Sequence, residues 1–202
     1  MIEGEPHQRK HPVPSSPDAH TTLARLERGA TLDETLAYFD TLAPAALSDM
    51  VGAWRGTGIP TGGPFDGLLE NVGWHGKRFD SVDDGHPLVF ADGRQRLVSI
   101  NPGRMPISLA ARHGQHFLGP VTRIAFRMLR PVLVTRRPRA RLRSVEYRGV
   151  VTAAMSYDQL PIIDVFRSVD ADTLMGAMDM RGLKQPYLFV LRRLTNKPSA
   201  TR

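Results

Sequence analysis

Apolar and polar residues alternate with two different periods along this chain. Near the N-terminus the apolar residues recur every three or four positions, the period of an α-helix: Leu32, Leu36, Phe39 and Leu42. Thr31 and Glu34 precede most of this run at the spacing of a capping box, so they predict where the helix begins. Residues 23–28 predict a shorter helix that ends at Gly29.

From residue 54 onward the pattern predicts strands instead of helices. Short apolar runs alternate with turn residues, and Asp92-Gly93 lies between two such runs as a hairpin signal. A sheet with many sequential antiparallel strands has to close or pack on itself to remove its edges. The most strand-like segments are residues 141–147, 149–157, 161–169, 173–180 and 187–194.

One amphipathic helix, residues 119–131, is predicted to interrupt the strands. Gly119-Pro120 opens it and Pro131 is predicted to end it. One face is apolar and another carries arginines: Val121, Ile124, Ala125, Met128 and Leu129 on the first, Arg123, Arg127 and Arg130 on the second.

The fold class that follows is mainly β: an antiparallel β-barrel with short N-terminal helices and one inserted amphipathic helix. The predicted boundaries are a disordered tail at 1–20, N-terminal helices at 21–50, a barrel domain at 51–194 and a second tail at 195–202. Within the barrel domain we separate a glycine-rich segment at 51–100, the helix at 119–131 and a C-terminal meander at 139–194.

Residues 52–58 place glycines at every second position around one tryptophan. In an extended strand this spacing leaves one face almost without side chains, so a bulky group can approach the backbone closely. Gly52, Trp54 and Gly56 are therefore predicted to be structural, with Trp54 closing the end of a small barrel.

The composition excludes several kinds of chemistry. The 202 residues contain no cysteine, which excludes disulfides, thiol catalysis, cysteine-ligated zinc and iron–sulfur clusters. The sequence has no apolar run long enough to span a membrane and no signal-peptide pattern at its start, so we expect a cytoplasmic protein.

The net charge of +7 is concentrated in one region. Residues 123–148 hold nine arginines and a single acidic residue, Glu146. This arginine band would solvate an edge strand, or it would face the phosphates of lipid or nucleic acid. We expect weak contact with anionic membranes at most, and we do not expect nucleic-acid binding.

Two separated motifs resemble one bacterial family. Residues 51–58 are similar to the signature of the family named for its GXWXG motif, and residues 157–167, continued through Met178-Asp179, resemble the companion C-terminal domain of unknown function. More loosely, the chain is similar to the calycins: lipocalins, fatty-acid-binding proteins and nitrobindins. That resemblance implies that an arginine of the last strand, Arg192 or Arg193, packs over Trp54, and we assign Arg192.

The nitrobindin resemblance raises haem binding, which the histidines disfavour. Nitrobindins place the iron-ligating histidine late in the chain, whereas this sequence has no histidine after His116. His75 is an alternative haem ligand, but a surface role suits it better. His113 and His116 have a spacing that shares a metal only on a helix, and no Gly-x-Ser-x-Gly or phosphate-binding loop is present. We assign no cofactor, no metal ligand and no catalytic residue.

Asp164 is the most informative charged residue in the C-terminal strands. Alternation places it on one face with Ile162 and Phe166, and it places Arg167 on the other. A charge on an apolar face needs a partner, so we expect Asp164 or Arg167 to pair with Arg148, Asp179 or Arg192 across the sheet. The alternative is that Asp164 serves as a polar anchor in a ligand cavity.

The predicted function is non-catalytic binding or transport of a small hydrophobic molecule, such as a lipid, an acyl chain or an aromatic metabolite. One alternative is an enzyme that uses the same cavity, with Asp164 and His75 as acid–base residues. The other is association with nucleic acid or anionic membrane through the arginine band. The oligomeric state is left open. The residues predicted to line the cavity are Trp74, His75, Tyr157, Asp164 and Met178.

Overall fold

A computed structural model describes residues 17–91 and 96–194. The helices in these ranges are α1 (Pro17–Leu26), α2 (Leu32–Thr41), α3 (Leu47–Met50), α4 (Leu68–Asn71), α5 (Ile107–His113) and α6 (Pro120–Leu133). Two short 3₁₀ turns, Pro102–Arg104 and Gly114–Phe117, flank α5. The strands are β1 (Ala43–Pro44), β2 (Gly52–Gly58), β3 (Trp74–Phe79), β4 (Gly85–Ala91), β5 (Leu97–Ile100), β6 (Val134–Thr135), β7 (Ala140–Tyr147), β8 (Val150–Tyr157), β9 (Ile162–Ser168), β10 (Thr173–Met180) and β11 (Tyr187–Arg193).

Eight of the described strands close into an antiparallel barrel, as the fold-class prediction requires. They follow the order β3, β2, β11, β10, β9, β8, β7, β4, and β4 pairs back to β3. Closure between β4 and β7 rests on one register pair, Gly85 with Ala140, supported by the bond from the Leu142 amide to the Val82 carbonyl. Strands β5 and β6 extend the sheet beyond β4.

The C-terminal strands form the predicted meander. Strands β7 and β8 are joined by Arg148 and Gly149, whose φ angles of 51° and 73° give a two-residue hairpin turn. Strand β11 then pairs with β2, so the end of the chain meets the glycine-rich strand. Early and late segments therefore share one core.

Helices α1 and α2 cover the outer face of β9, β10 and β11. The capping box at the start of α2 is confirmed: the Glu34 amide donates to Thr31 Oγ1 at 3.2 Å, and the Thr31 amide donates to Glu34 Oε2 at 3.0 Å. The helices bury a second apolar cluster against the sheet, separate from the barrel interior: Leu23, Leu26 and Phe39 with Val165, Met175, Ala177, Leu188 and Val190.

Several predicted boundaries need correction. Helix α1 begins at Pro17, inside the tail predicted at 1–20, and α6 runs through Pro131 to Leu133 because a proline in the last turn removes only one bond. Helix α5 was not predicted. The Asp92-Gly93 turn, residues 1–16 and the tail at 195–202 lie outside the described residues. Among the described helices, none has the length and apolar character that a membrane crossing requires.

Candidate ligand-binding cavity

The glycines of β2 make room for side chains that other strands supply. A methyl group on Gly56 would overlap the indole of Trp74, and one on Gly58 would overlap the hydroxyl of Tyr187. Trp54 itself is completely buried, and its Nε1 donates to the Met50 carbonyl at 2.7 Å. The predicted bare face of this strand is therefore covered by two aromatic side chains, Trp74 over Gly56 and Tyr187 over Gly58.

Arg193, and not Arg192, packs over Trp54. The register of β11 against β2 places Arg193 opposite Trp54 and Arg192 opposite Arg55, so side-chain alternation turns Arg192 outward. The Arg193 guanidinium carbon lies 4.2 Å from the Trp54 ring centroid. Arg192 pairs instead with Glu27 at 2.7 Å. The assignment of Arg192 as the stacking residue is wrong by one position.

A cavity of about 430 Å³ lies between the barrel interior and the layer formed by α4, α5 and α6. Its walls are almost entirely apolar. The barrel contributes Trp74, Leu88, Tyr157, Ile162, Met178, Tyr187 and Phe189, and the helical side contributes Phe65, Leu68, Met105, Ile107, Ala110, Phe126 and Leu129 among others. A cavity of this size and lining is typical of small-molecule sites.

An ion pair crosses the barrel at the wall of this cavity. Lys77 Nζ donates to Asp164 Oδ2 at 2.6 Å, and both side chains are at most 3% exposed. Lys77 also donates to the Pro87 carbonyl at 3.3 Å, and the Tyr157 hydroxyl donates to Asp164 Oδ2 at 3.2 Å. The Phe189 ring centroid is 5.0 Å from the ammonium. The pair is therefore held in apolar surroundings by a few directed bonds.

A bulge in β3 explains why Lys77 faces inward. Strict alternation from Trp74 would turn Lys77 to the outside, but the register of β3 against β4 shifts on both sides of Gly76. Gly76 has a φ of 152°, and a Cβ there would overlap the Trp54 carbonyl oxygen. As a result Trp74, Lys77 and Phe79 are all buried. Sequence reasoning missed Lys77 because the bulge breaks the period on which it relied.

Burial dominates the proton affinity of the groups around the pair. Burial raises the pKa of Asp164, although Lys77 and the Tyr157 hydrogen bond act in the opposite direction. Burial also raises the pKa of Tyr157 well above its ordinary value, and the nearby Asp164 carboxylate raises it further. The pKa of Tyr187 is likewise raised well above its ordinary value by burial. Both phenols stay protonated and are able to donate.

Three buried polar atoms of the cavity wall have no hydrogen-bond partner among residues 17–91 and 96–194. They are Trp74 Nε1, Asp164 Oδ1 and the Tyr187 hydroxyl. Buried polar groups are normally paired, so each of these atoms needs a bond that the described residues do not supply. They include a donor, an acceptor and a group that can act as either.

Four of the five predicted lining residues line this cavity: Trp74, Tyr157, Asp164 and Met178. His75 does not, because it lies on the outer side of β3, where its Nδ1 is 3.1 Å from a guanidinium nitrogen of Arg55. Burial, followed by the Arg55 charge, lowers the pKa of His75. The structure therefore does not bring His75 and Asp164 together.

Asp164 pairs with neither of the arginines proposed from the sequence. Arg148 pairs with Asp40 at 2.6 Å, and Arg192 pairs with Glu27. Arg167, on the other face of β9, donates to the Tyr147 carbonyl at 3.2 Å and lies over the Phe39 ring. Sequence reasoning also missed Tyr187 and Phe189 as lining residues. The apolar run at the start of β11 predicted a buried strand, but it did not show which side chains face the cavity.

Comparisons with known proteins match both halves of the barrel. Residues 37–94 match the model of the GXWXG protein family, and residues 138–193 match a domain of unknown function, DUF4334. Lys77 lies in the first segment and Asp164 in the second, so the ion pair joins the two. No curated protein matches the chain.

A solved structure, described as that of a protein from Thermomonospora curvata, has a similar fold and sequence. Its identity to this chain is 30%, the match covers 88% of this chain and 99% of that one, and the TM-score is 0.65. With both family segments present in order along one barrel, the chain belongs to the family of GXWXG proteins that carry a DUF4334 domain.

Proposed function

We propose that this protein binds a small, largely apolar molecule in the cavity, with the molecule's polar end directed to the Lys77–Asp164 pair. The observation that carries the proposal is the combination of apolar walls with three polar atoms that no described residue pairs with. Water in such a space finds few partners, whereas an apolar ligand fits the walls and one polar group satisfies the wall atoms.

The geometry supports binding more than the acid–base enzyme with His75 and Asp164. General acid–base catalysis needs both groups within hydrogen-bond reach of one substrate, and these side chains lie on opposite faces of the barrel wall. The charges of Lys77 and Asp164 cancel, and hydrogen bonds hold the pair in place, so it is able to orient the polar end of a ligand.

The proposal is tested by closing the cavity. Ala110 of α5 lines it, and Ala110→Trp would fill much of its volume, while Ala37→Trp on the exposed face of α2 is a matched control on the opposite side of the sheet. Native mass spectrometry of the purified protein, before and after extraction, shows whether a small molecule is retained. Isothermal titration with 1-decanol then measures affinity.

We expect wild type and Ala37→Trp to bind decanol alike, and Ala110→Trp to lose binding about tenfold or more. Circular dichroism checks that both variants are folded. Equal affinity in all three proteins would place the ligand elsewhere and contradict the proposal, as would a wild type that neither retains nor binds any apolar molecule.

A further inference from the structure

The charge of the cavity restricts the ligand more narrowly than its shape does. Lys77 and Asp164 neutralise each other at 2.6 Å, and both are buried. The other charged residue of the lining, Arg104, is exposed at the mouth, where it donates to the Val132 carbonyl at 2.7 Å. The inner end of the cavity is therefore electrically balanced before any ligand enters.

We propose that the ligand is uncharged and carries a hydroxyl group that bonds both Asp164 Oδ1 and Trp74 Nε1; this rests on the proposed function. Within the described part of the chain, Asp164 Oδ1 is a buried acceptor without a donor, and Trp74 Nε1 is a buried donor without an acceptor. The two side chains are neighbours of one ammonium, since Lys77 Nζ lies 2.6 Å from Asp164 Oδ2 and 5.5 Å from the Trp74 ring centroid. A hydroxyl group both donates and accepts, so it has the chemistry that both atoms require. A bare carbonyl only accepts, which leaves Asp164 Oδ1 unpaired.

A carboxylate ligand is disfavoured by the same charges. Placed at the inner end, it would leave one net negative charge in apolar surroundings, and uncompensated buried charge is strongly unfavourable. An amine would leave one net positive charge. Long-chain alcohols, phenols and hydroxylated ring systems fit this site, whereas fatty acids do not.

The test compares three probes with the same chain: 1-decanol, decanoate and decylamine, titrated calorimetrically at pH 8 into the full-length protein. We expect decanol to bind about tenfold or more tightly than either ion. Asp164→Asn removes the resident negative charge and leaves Lys77 as an unpaired cation. In this variant we expect the affinity for decanol to fall and the affinity for decanoate to rise. Decanoate then binds the variant as tightly as decanol does, or more tightly.

Arg104→Met is the control for a carboxylate held at the mouth. Suppose that wild type binds decanoate as tightly as decanol, and that the affinity for decanoate falls in Arg104→Met but not in Asp164→Asn. This result would overturn the inference and leave the cavity proposal intact. No binding of any probe to wild type would overturn both. If Asp164→Asn does not fold, the order of the three probes on wild type decides alone.

A second inference rests on a different observation, the exposed apolar face of α6. Phe126 and Leu133 of this helix turn inward, but five of its large apolar side chains are more than half exposed: Val121 at 78%, Met128 at 76%, Val132 at 62%, Leu129 at 56% and Ile124 at 55%. Two of the five, Val121 and Leu129, also line the cavity. Contiguous apolar surface of this kind marks an interaction site.

The charges on this helix are all positive, although an acidic residue of α4, Glu70, lines a surface depression together with Arg123. Arg123 and Arg127 are exposed on the same helix, and residues 96–145 contain no aspartate or glutamate. A second copy of the chain would bring the same arginines together and repel. A bilayer with anionic headgroups instead accepts the apolar face among its acyl chains and the arginines among its phosphates. We infer that α6 docks on an anionic lipid membrane, at the wall of the cavity.

Vesicle co-sedimentation tests this second inference, with phosphatidylcholine alone and with about one third phosphatidylglycerol. We expect binding only to the anionic vesicles, with a loss of about tenfold on raising salt from roughly 50 to 500 mM. Val121→Ser with Met128→Ser, and separately Arg123→Gln with Arg127→Gln, should each abolish most of the binding. Val151→Ser, at an apolar position on β8 that is 61% exposed, is the control.

Binding to both kinds of vesicle alike, binding unaffected by either double variant, or no binding at all would overturn the membrane inference. Size-exclusion chromatography that shows a dimer, lost in Val121→Ser with Met128→Ser, would assign the face to a second copy and overturn it as well.

Discussion

At the scale of single residues, the site depends on one buried carboxylate. Sequence alternation was sufficient to place Asp164 on the apolar face of β9, because that strand has no bulge across its pairing with β10. It could not supply the partner, since Lys77 lies across the barrel and is separated from Asp164 by three strands. Long-range pairing of this kind depends on closure, which local patterns do not encode.

Asp164 predicts a specific dependence of stability on pH. Its raised pKa means that the folded state binds this proton more tightly than the unfolded state does. The contribution to the free energy of unfolding is therefore present below the ordinary carboxyl pKa and is lost as pH rises through the raised value. Urea denaturation of wild type and Asp164→Asn between pH 3.5 and 7 should show the difference, wild type minus variant, falling with pH.

Other groups also have shifted pKa values; the hydrogen bond from Arg148, for example, lowers the pKa of Asp40. These shifts are present in both proteins, so they cancel in the difference. A difference that stays flat, or that rises with pH, would contradict the raised pKa of Asp164.

Arg193 and Arg192 are predicted to differ in their effect on stability. Arg193 lies on Trp54 and donates to the Val51 and Asp49 carbonyls and to Asp172. We expect Arg193→Met to lower the free energy of unfolding by about 2–3 kcal/mol, because it leaves backbone acceptors unpaired and loses the ring contact. Arg192→Met removes one partly exposed ion pair with Glu27, with an expected loss of about 1 kcal/mol or less.

Guanidinium chloride denaturation of the two variants measures this contrast directly. Equal losses, or a larger loss in Arg192→Met, would mean that Arg193 does not hold the barrel end.

At the scale of secondary-structure elements, β2 and β3 act together to shape the cavity. Glycine spacing in β2 predicted a bare face, and the structure shows Trp74 of β3 lying on Gly56. The bulge at Gly76 then brings Lys77 to the same side as Trp74. Sequence reasoning predicted the bare face of β2 and, separately, Trp74 as a lining residue, but it predicted neither the contact between them nor the bulge. A glycine in a strand allows a bulge without requiring one.

Gly56→Ala should therefore damage both stability and binding. The added methyl overlaps the Trp74 ring, so the indole has to move into the cavity; we expect a loss of about 1–3 kcal/mol in the free energy of unfolding and weaker decanol binding. Gly62→Ala is the control: it strains a positive φ of 84°, but its new methyl meets no atom within 4 Å. We expect it to cost about 1 kcal/mol with binding unchanged.

Chemical denaturation and decanol titration of both variants provide the comparison. Loss of binding in Gly62→Ala, or intact binding in Gly56→Ala, would separate the glycine motif from the cavity.

At the scale of the whole molecule, the two family segments are parts of one barrel and not two domains. Strand β11 of the second segment pairs with β2 of the first, Arg193 covers Trp54, and Asp164 binds Lys77. The sequence predicted the class of fold from strand spacing, since a long meander has to hide its edges. It could not predict the number of strands, because closure through β4 rests on one pair of residues, Gly85 and Ala140.

One shared core predicts that the two segments unfold together. Both tryptophans, Trp54 and Trp74, belong to the first segment, whereas most of the barrel strands belong to the second. Tryptophan fluorescence therefore reports on one half, and far-ultraviolet circular dichroism reports mainly on the other. We expect the two urea transitions to coincide, as in a two-state protein. Two midpoints separated by more than the fitting error would show that the segments are independent, and Lys77 and Asp164 could not then depend on each other for their burial.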